Sequence, residues 1–146
     1  MLASDFAELN RQLGRVPPKF GRDYLLAEAS VRQLRAARVP LLAGTDAPNP
    51  GTAYGSSMHR ELELLVNAGL SAIEALAATT SVPARICGLR DRGRVAPGMC
   101  ADLLLVEGNP AGDVTDTRNI VAVWKKGVLI KRRARSRNDT PQHDPN

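Results

Sequence analysis

A carboxylate follows a short apolar run in the first half of the chain. Residues 41–43, Leu-Leu-Ala, are typical of a buried strand, and the next two residues lead to Asp46 at its predicted tip. Two nearby prolines, Pro48 and Pro50, then end any regular structure. Because α/β enzymes place their chemistry at the tips of strands, Asp46 is the first candidate for a reactive group.

Helical patterns surround this predicted strand. Residues 23–38 place apolar side chains at steps of three and four, and Asp23 can cap the start of that helix. Residues 58–69 show the same period and end at a glycine, with Glu61 and Glu63 expected to face solvent. A helix followed at once by a buried strand is the order of a parallel α/β unit.

A capping box predicts a third helix from Ser71. The Ser71 hydroxyl and the Glu74 carboxylate can each satisfy a free amide at the helix start. Pro83 is expected to interrupt this helix, and a short helical turn should close at Gly88.

The hydrophobic period changes from helical to alternating after Gly88. Residues 101–106 and 120–124 are predicted strands, and the turn at Lys126 and Gly127 should join the second strand to residues 128–130 in a hairpin. The chain is therefore predicted to be mixed α/β, with helices first and an all-β segment last.

The composition fits about one domain with an aliphatic core. Of 146 residues, 43% are apolar but only 3% are aromatic, so little surface is available for stacking bases and a nucleic-acid partner is disfavoured. The net charge of +5 comes entirely from residues 125–146, since the preceding residues balance. The last part of this basic end, residues 132–146, is expected to be a solvated, disordered tail, with a dedicated nucleic-acid arm as the alternative.

Cysteine usage and the absence of apolar segments favour the cytoplasm. Cys87 and Cys100 have no metal-ligand spacing and are expected to be small buried hydrophobic residues. The first residues carry early acids and no apolar core of a signal peptide, and no stretch approaches the roughly 18 apolar residues of a membrane span. We therefore expect neither export nor a membrane partner.

Four stretches together resemble the C-terminal third of metal-dependent amidohydrolases, most closely the imidazolonepropionase-like and prolidase-like branch. They are GTDAP at 44–48, HRELELLVNAGLSAIEALAATT at 59–80, GRVAPGMCADLLLV at 93–106 and NIVAVWKKGVLI at 119–130. The resemblance implies a (β/α)8 barrel with a small β-sandwich. Residues 1–90 would form the C-terminal part of the barrel, residues 91–131 a sandwich segment and residues 132–146 the basic tail.

The resemblance also assigns a role to Asp46. The aspartate that ends the last barrel strand is a catalytic metal-site residue in this family, and Asp46 is the matching position. A divalent ion, expected to be zinc in the complete enzyme, lowers the pKa of bound water to about 7, and a neighbouring carboxylate can accept and deliver its proton.

The family's histidine ligands are missing before Asp46. His59 and His143 are the histidines of the chain, whereas a catalytic zinc ion needs about three protein ligands. The chain is also shorter than the ~250 residues of a full barrel. We therefore expect a C-terminal piece of a hydrolase of carbon–nitrogen bonds that binds no metal and is inactive alone.

Two further residues are candidates for a substrate pocket. Tyr54 lies in the loop after Asp46, and His59 lies on the helix that follows. The alternatives are an ordinary surface loop for Tyr54 and an exposed or half-buried helix position for His59. Asp102 and Trp124 are expected to be structural.

The resemblance also implies which partners the protein would have. The complete enzyme would take a small amide, cyclic-amide or dipeptide-like substrate. The alternative is a non-catalytic remnant that associates with itself or with the missing part of the barrel, because a severed barrel leaves strand edges and apolar surface uncovered.

Overall fold

The computed structural model describes residues 19–131, which form a helical part followed by a small sheet. The helices are α1 (Lys19–Ala36), α2 (Ser56–Asn67), α3 (Ala72–Thr79) and α4 (Ser81–Ile86). The strands are β1 (Leu103–Val106), β2 (Ile120–Lys125) and β3 (Val128–Leu129), with a 3-10 helix at Val114–Arg118 between β1 and β2. The predicted basic tail and residues 1–18 of the predicted barrel part lie outside the described residues. No helix of the described part is long and apolar enough to cross a membrane.

The core lies between α2, α3 and the 3-10 helix. It is formed by small and aliphatic side chains, Leu62, Leu65, Leu70, Ala75, Ala78 and Val114. Within residues 24–131 no large side chain is completely buried, and Leu25 and Leu26 on α1 are 61% and 65% exposed. The aliphatic core predicted from composition is therefore present, but it is small.

The capping box at the start of α3 is confirmed. Ser71 Oγ accepts a hydrogen bond from the Glu74 backbone N–H at 3.2 Å, and the Ser71 N–H donates to Glu74 Oε2 at 2.7 Å. Arg35 on α1 also reaches this carboxylate, with Nη2 at 2.9 Å from Oε2. The hydrogen bond from the Ser71 backbone, followed by that from Arg35, lowers the pKa of Glu74 to about 2.

Pro83 lies in the first turn of a helix and does not interrupt one. It is the third residue of α4, where the missing N–H would have no intrahelical acceptor. α4 ends at Ile86, and Gly88, two residues later, closes it as predicted with a left-handed φ of 69°. The Gly88 N–H donates to Arg85 O at 3.3 Å and the Leu89 N–H donates to Ala84 O at 2.8 Å. These two bonds form a Schellman motif.

The sheet is antiparallel, in the order β1-β2-β3. Leu103 pairs with Trp124, and the register shifts between Leu105 and Val106. Lys126 and Gly127, with φ of 50° and 78°, form the turn between β2 and β3. Left-handed conformations at both central residues are those of a type I′ turn, whose twist suits a hairpin. The predicted hairpin is confirmed, although β3 has only two residues.

Residues 41–45 do not form the predicted strand. The Ala43 N–H donates instead to Ala78 O near the end of α3, at 2.9 Å. A strand requires a neighbouring strand to complete its ladder of hydrogen bonds, and no strand of the described part pairs with these residues.

Three further expectations are corrected. α1 begins at Lys19, so Asp23 lies inside the helix and is not its cap. Cys87 is exposed and Cys100 is half-buried, because the core is too small to cover them. Glu61 and Glu63 are half-buried and do not face solvent freely.

Candidate functional site

Asp46 begins a turn directly after the apolar segment 41–45. Its φ of 49° is left-handed, a conformation that aspartate tolerates better than most residues, and a cis peptide bond joins Ala47 to Pro48 immediately afterwards. Asp46 Oδ2 accepts a hydrogen bond from Asn49 Nδ2 at 2.6 Å, and the Asp46 carbonyl accepts from the Asn49 N–H at 3.1 Å. The carboxylate is exposed at the end of an apolar segment, as predicted, but that segment is not a strand.

The residues around Asp46 do not complete a metal centre. No group of three or more His, Cys, Asp or Glu side chains within residues 24–131 is arranged to hold a metal ion. A single carboxylate hydrogen-bonded to Asn49 falls short of the roughly three ligands of a catalytic zinc site. The described part of the chain therefore does not fit a catalytic metal ion by itself.

His59 is hydrogen-bonded to the 3-10 helix. Its Nδ1 lies 3.0 Å from Oγ1 of Thr117, which is only 5% exposed. The Thr117 hydroxyl donates its single proton to Val114 O at 2.7 Å, so it must accept from His59. The imidazole therefore carries a proton on Nδ1. Burial, followed by the nearby Arg118 charge, lowers the pKa of His59, although Glu63 acts in the opposite direction.

A cleft of about 500 Å³ lies beside the segment that leads to Asp46. Glu61 Oε1 accepts a long hydrogen bond of 3.4 Å from the Gly44 N–H on its wall. Side chains from three parts of the chain line this cleft, among them Thr45, Thr52, Ser57, Arg60, Glu61 and Arg118. Tyr54 and His59 are not among the residues that line it, and Tyr54 is 77% exposed.

An ion-pair group beside this cleft joins α2 to the 3-10 helix. Glu63 Oε1 accepts from Arg118 Nε at 2.7 Å, and Glu63 Oε2 accepts from Arg60 Nη1 at 2.9 Å. Partial burial alone would raise the pKa of Glu63, but the hydrogen bonds from Arg118 and Arg60 outweigh it and lower that pKa. The sequence pattern missed this group because Arg118 follows Glu63 by 55 residues and no local period relates them.

Asp102 has the contacts of a structural residue. Its Oδ2 lies 2.6 Å from Lys125 Nζ, and its Oδ1 accepts from the Lys126 N–H at 2.8 Å. The hydrogen bond from Lys125, followed by that from the Lys126 backbone, lowers the pKa of Asp102. This carboxylate holds the hairpin turn and lies on the sheet part of the chain, in agreement with the structural role predicted from the sequence.

Comparison with protein families gives one clear match. Residues 4–130 match the sequence profile described as "Amidohydrolase family". This range includes almost all of the described residues and extends over both the helical part and the sheet.

Curated relatives and a solved structure agree with this match. The chain is 41% identical over 102 residues to the imidazolonepropionase of Cereibacter sphaeroides, covering 65% of the chain and 25% of that relative. It is 37% identical over 109 residues to the imidazolonepropionase of Deinococcus deserti, covering 72% and 27%. The fold is similar to the crystal structure of a Xaa-Pro dipeptidase with bound methionine in its active site, with a TM-score of 0.64 and 28% identity, over 72% of this chain and 25% of that one. The chain thus spans about a quarter of the length of the relatives it matches.

Proposed function

Because the chain belongs to the amidohydrolase family, we propose that it forms the C-terminal segment of a metal-dependent hydrolase of carbon–nitrogen bonds. The observation that carries this proposal is the family match over residues 4–130, in a chain that spans about a quarter of its curated relatives.

The proposed substrates are small molecules with an amide, cyclic-amide or dipeptide-like bond. Support comes from the relatives, which are named as imidazolonepropionases, and from the similar Xaa-Pro dipeptidase structure. Tyr54 is a candidate to contact substrate because most of its side chain is exposed. His59 is a candidate through Nε2, since Nδ1 is committed to Thr117.

The proposed organisation keeps residues 1–90 as barrel, 91–131 as sandwich segment and 132–146 as basic tail. The change from helices to strands after α4 supports the first boundary. Both cysteines are free thiols, which supports a location in the reducing cytoplasm.

Asp46 is the proposed contribution of this chain to the metal site and to proton transfer in the complete enzyme. Amidohydrolases are generally metal-dependent, and zinc is the proposed ion. The described residues do not fit such an ion alone, so we propose that the isolated chain is inactive. The histidine ligands of the metal would come from the rest of the complete enzyme, to which no part of this chain corresponds.

A chimeric enzyme tests this proposal. Residues 22–131 would replace the matching quarter of the Cereibacter sphaeroides imidazolonepropionase, and hydrolysis would be measured with and without added zinc. The chimera should be active, and Asp46→Asn should lower kcat by at least about a hundredfold, because an amide cannot transfer the proton.

The controls separate the site from the fold. Asp144→Asn in the same chimera extended to residue 146 removes an equal charge and should leave kcat unchanged. The isolated chain, assayed with and without zinc, should show no hydrolysis. An active isolated chain would contradict the proposed incompleteness, and a folded chimera in which Asp46→Asn keeps full activity would contradict the role of Asp46.

A second candidate function is association without catalysis. It is favoured by apolar side chains that remain exposed on α1 and on the segment after it, namely Leu25, Leu26, Leu34, Val39 and Leu42. Such a surface is typical of a site that another polypeptide covers. Sedimentation velocity tests it: the chain should be dimeric or larger at micromolar concentration, and Leu26→Glu should shift it toward monomer. A matched change at the exposed Ile73 on α3, Ile73→Glu, should not, and a monomeric wild-type chain would exclude self-association.

A further inference from the structure

Four arginines surround a second cleft, on the side of α4 and of the loop that follows it. This arginine cleft has a volume of about 540 Å³ and is lined by Arg85, Arg90, Arg92 and Arg94, together with Gly88 and Gly93. Its volume falls within the range of about 300–1,000 Å³ that is usual for small-molecule sites.

The Schellman motif at the end of α4 arranges these side chains. The left-handed Gly88 reverses the chain, so that Arg85 lies before the turn and Arg90 after it. Gly93 then packs directly on α4, because a Cβ atom at this position would lie 2.5 Å from Ala84 Cβ and 2.8 Å from Thr80 O. This close approach holds the backbone of Arg92 and Arg94 against the first turn of α4.

The helix end does not use the arginines. Its last carbonyls accept backbone N–H groups instead: Pro83 O from Cys87, Ala84 O from Leu89 and Arg85 O from Gly88. The guanidinium groups are therefore not needed to satisfy the carbonyl end of the helix, which is the usual local reason for basic residues there.

The positive charge of the cleft is largely uncompensated. Arg92 pairs with Asp91 at 2.9 Å and lies 3.8 Å from Asp102, whose nearer partner is Lys125. Arg85, Arg90 and Arg94 form no salt bridge with any side chain of the described part. Three exposed guanidinium groups without an acidic partner around one concave surface repel one another, and a bound anion would relieve that repulsion.

We propose that the arginine cleft binds a small molecule that carries two or more negative charges on its phosphate groups. Residues 81–100 contain arginine but no lysine. The planar guanidinium donates two parallel hydrogen bonds to phosphate oxygens, which a lysine ammonium does not. The site uses neither Asp46 nor the cleft beside it, so it is independent of the proposed hydrolase function.

Titration of the full 146-residue chain with inorganic tripolyphosphate tests the proposal. Calorimetry would give the dissociation constant, and amide NMR spectra would locate the site through the signals of Gly88 and Gly93. We expect these two amides to shift, and Arg85→Gln, Arg90→Gln and Arg94→Gln each to weaken binding about threefold to tenfold. Arg38→Gln, at an exposed arginine on another surface, should leave the affinity within twofold.

Matched controls distinguish this site from the basic tail and from other anions. The double variant Arg85→Gln/Arg94→Gln should lose far more affinity than Arg133→Gln/Arg135→Gln, which removes the same charge. An equal loss in both would overturn the proposal, as would the absence of binding at low salt. Citrate that binds as tightly as tripolyphosphate would contradict the phosphate preference, and tighter binding of a short RNA oligonucleotide at these amides would contradict a small-molecule ligand.

Discussion

The single proton of the Thr117 hydroxyl fixes the state of His59. Because that proton goes to Val114 O, His59 must donate from Nδ1, and a second proton can enter only at Nε2. Burial and the Arg118 charge oppose this second proton and lower the pKa of His59 below 6.5. The unfolded chain therefore binds the proton more readily than the folded chain does.

The stability of the folded chain should depend on pH near neutrality through His59. The contribution of His59 should be complete above pH 6.5 and should decrease as the pH falls below that value, because protonation then favours the unfolded state. Urea denaturation between pH 5 and pH 8 would measure this decrease, which His59→Gln should abolish. His143→Gln also removes one imidazole and is the matched control. Identical effects of the two substitutions would contradict the assignment to His59.

Glu74 should contribute to acid unfolding of the chain. Its pKa of about 2 in the folded chain, against 4.5 ordinarily, means that its contribution is complete above pH 4.5 and is lost as the pH falls toward 2. Glu74→Gln should therefore reduce the loss of stability over that range, as measured by thermal unfolding. Glu107→Gln is the matched control, and equal profiles for the two variants would contradict this role.

Ser71→Ala should lower the free energy of unfolding by roughly 1 kcal/mol, because the helix then loses its cap.

Gly93 allows the loop after α4 to approach that helix closely. Gly93→Ala should lower the free energy of unfolding by about 3 kcal/mol, because the new methyl group meets Ala84 and the backbone φ is 87°. Gly98→Ala provides the comparison: φ is 79° there, but no atom lies within 4 Å of the added Cβ. It should cost only about 1 kcal/mol. Equal costs in urea denaturation would show that the close approach is unimportant.

Elements with a strong local signal were predictable from sequence. The capping box at Ser71, the end of α4 at Gly88 and the turn at Lys126 and Gly127 depend on neighbours within a few residues, and all three are present in the structure. Residues 41–45 were not predicted correctly. Their apolar side chains indicate burial, but a strand also needs a neighbouring strand as its hydrogen-bonding partner.

The candidate site was predictable only in part. Asp46 could be singled out because it follows a local apolar pattern, and its exposed position after that segment agrees with the sequence analysis. The groups at Glu63 with Arg118 and at His59 with Thr117 join residues more than 50 positions apart. No period or motif in the sequence brings such residues together, so only the tertiary structure reveals them.

Two side-chain contacts join α2 to the 3-10 helix that precedes β2, and so link the helical part to the sheet. They are the hydrogen bond between His59 and Thr117 and the ion pair between Glu63 and Arg118. We therefore expect the helices and the sheet to unfold together.

Removing the ion pair tests this cooperativity. Glu63→Gln should cost roughly 1 kcal/mol, since the carboxylate is only partly buried. Because the variant lacks this link, β2 should open without the helices, and amide hydrogen exchange should accelerate more in β2 than in α3. Arg32→Gln breaks an ion pair within α1 and should leave exchange in the sheet unchanged. Equal acceleration in β2 and α3 would contradict the linking role of Glu63.

The order of the sheet places β1, with the sequence Leu-Leu-Leu-Val, at one border of the described strands. Lys126 and Lys131 lie on either side of β3 at the opposite border, whereas Asp102 and Glu107 flank β1, whose own four residues carry no charge and no proline. Unless another polypeptide pairs with β1, this strand can pair with β1 of other molecules and start cross-β growth. Concentrated solutions should therefore form fibrils that bind thioflavin, and Leu104→Lys should delay their appearance.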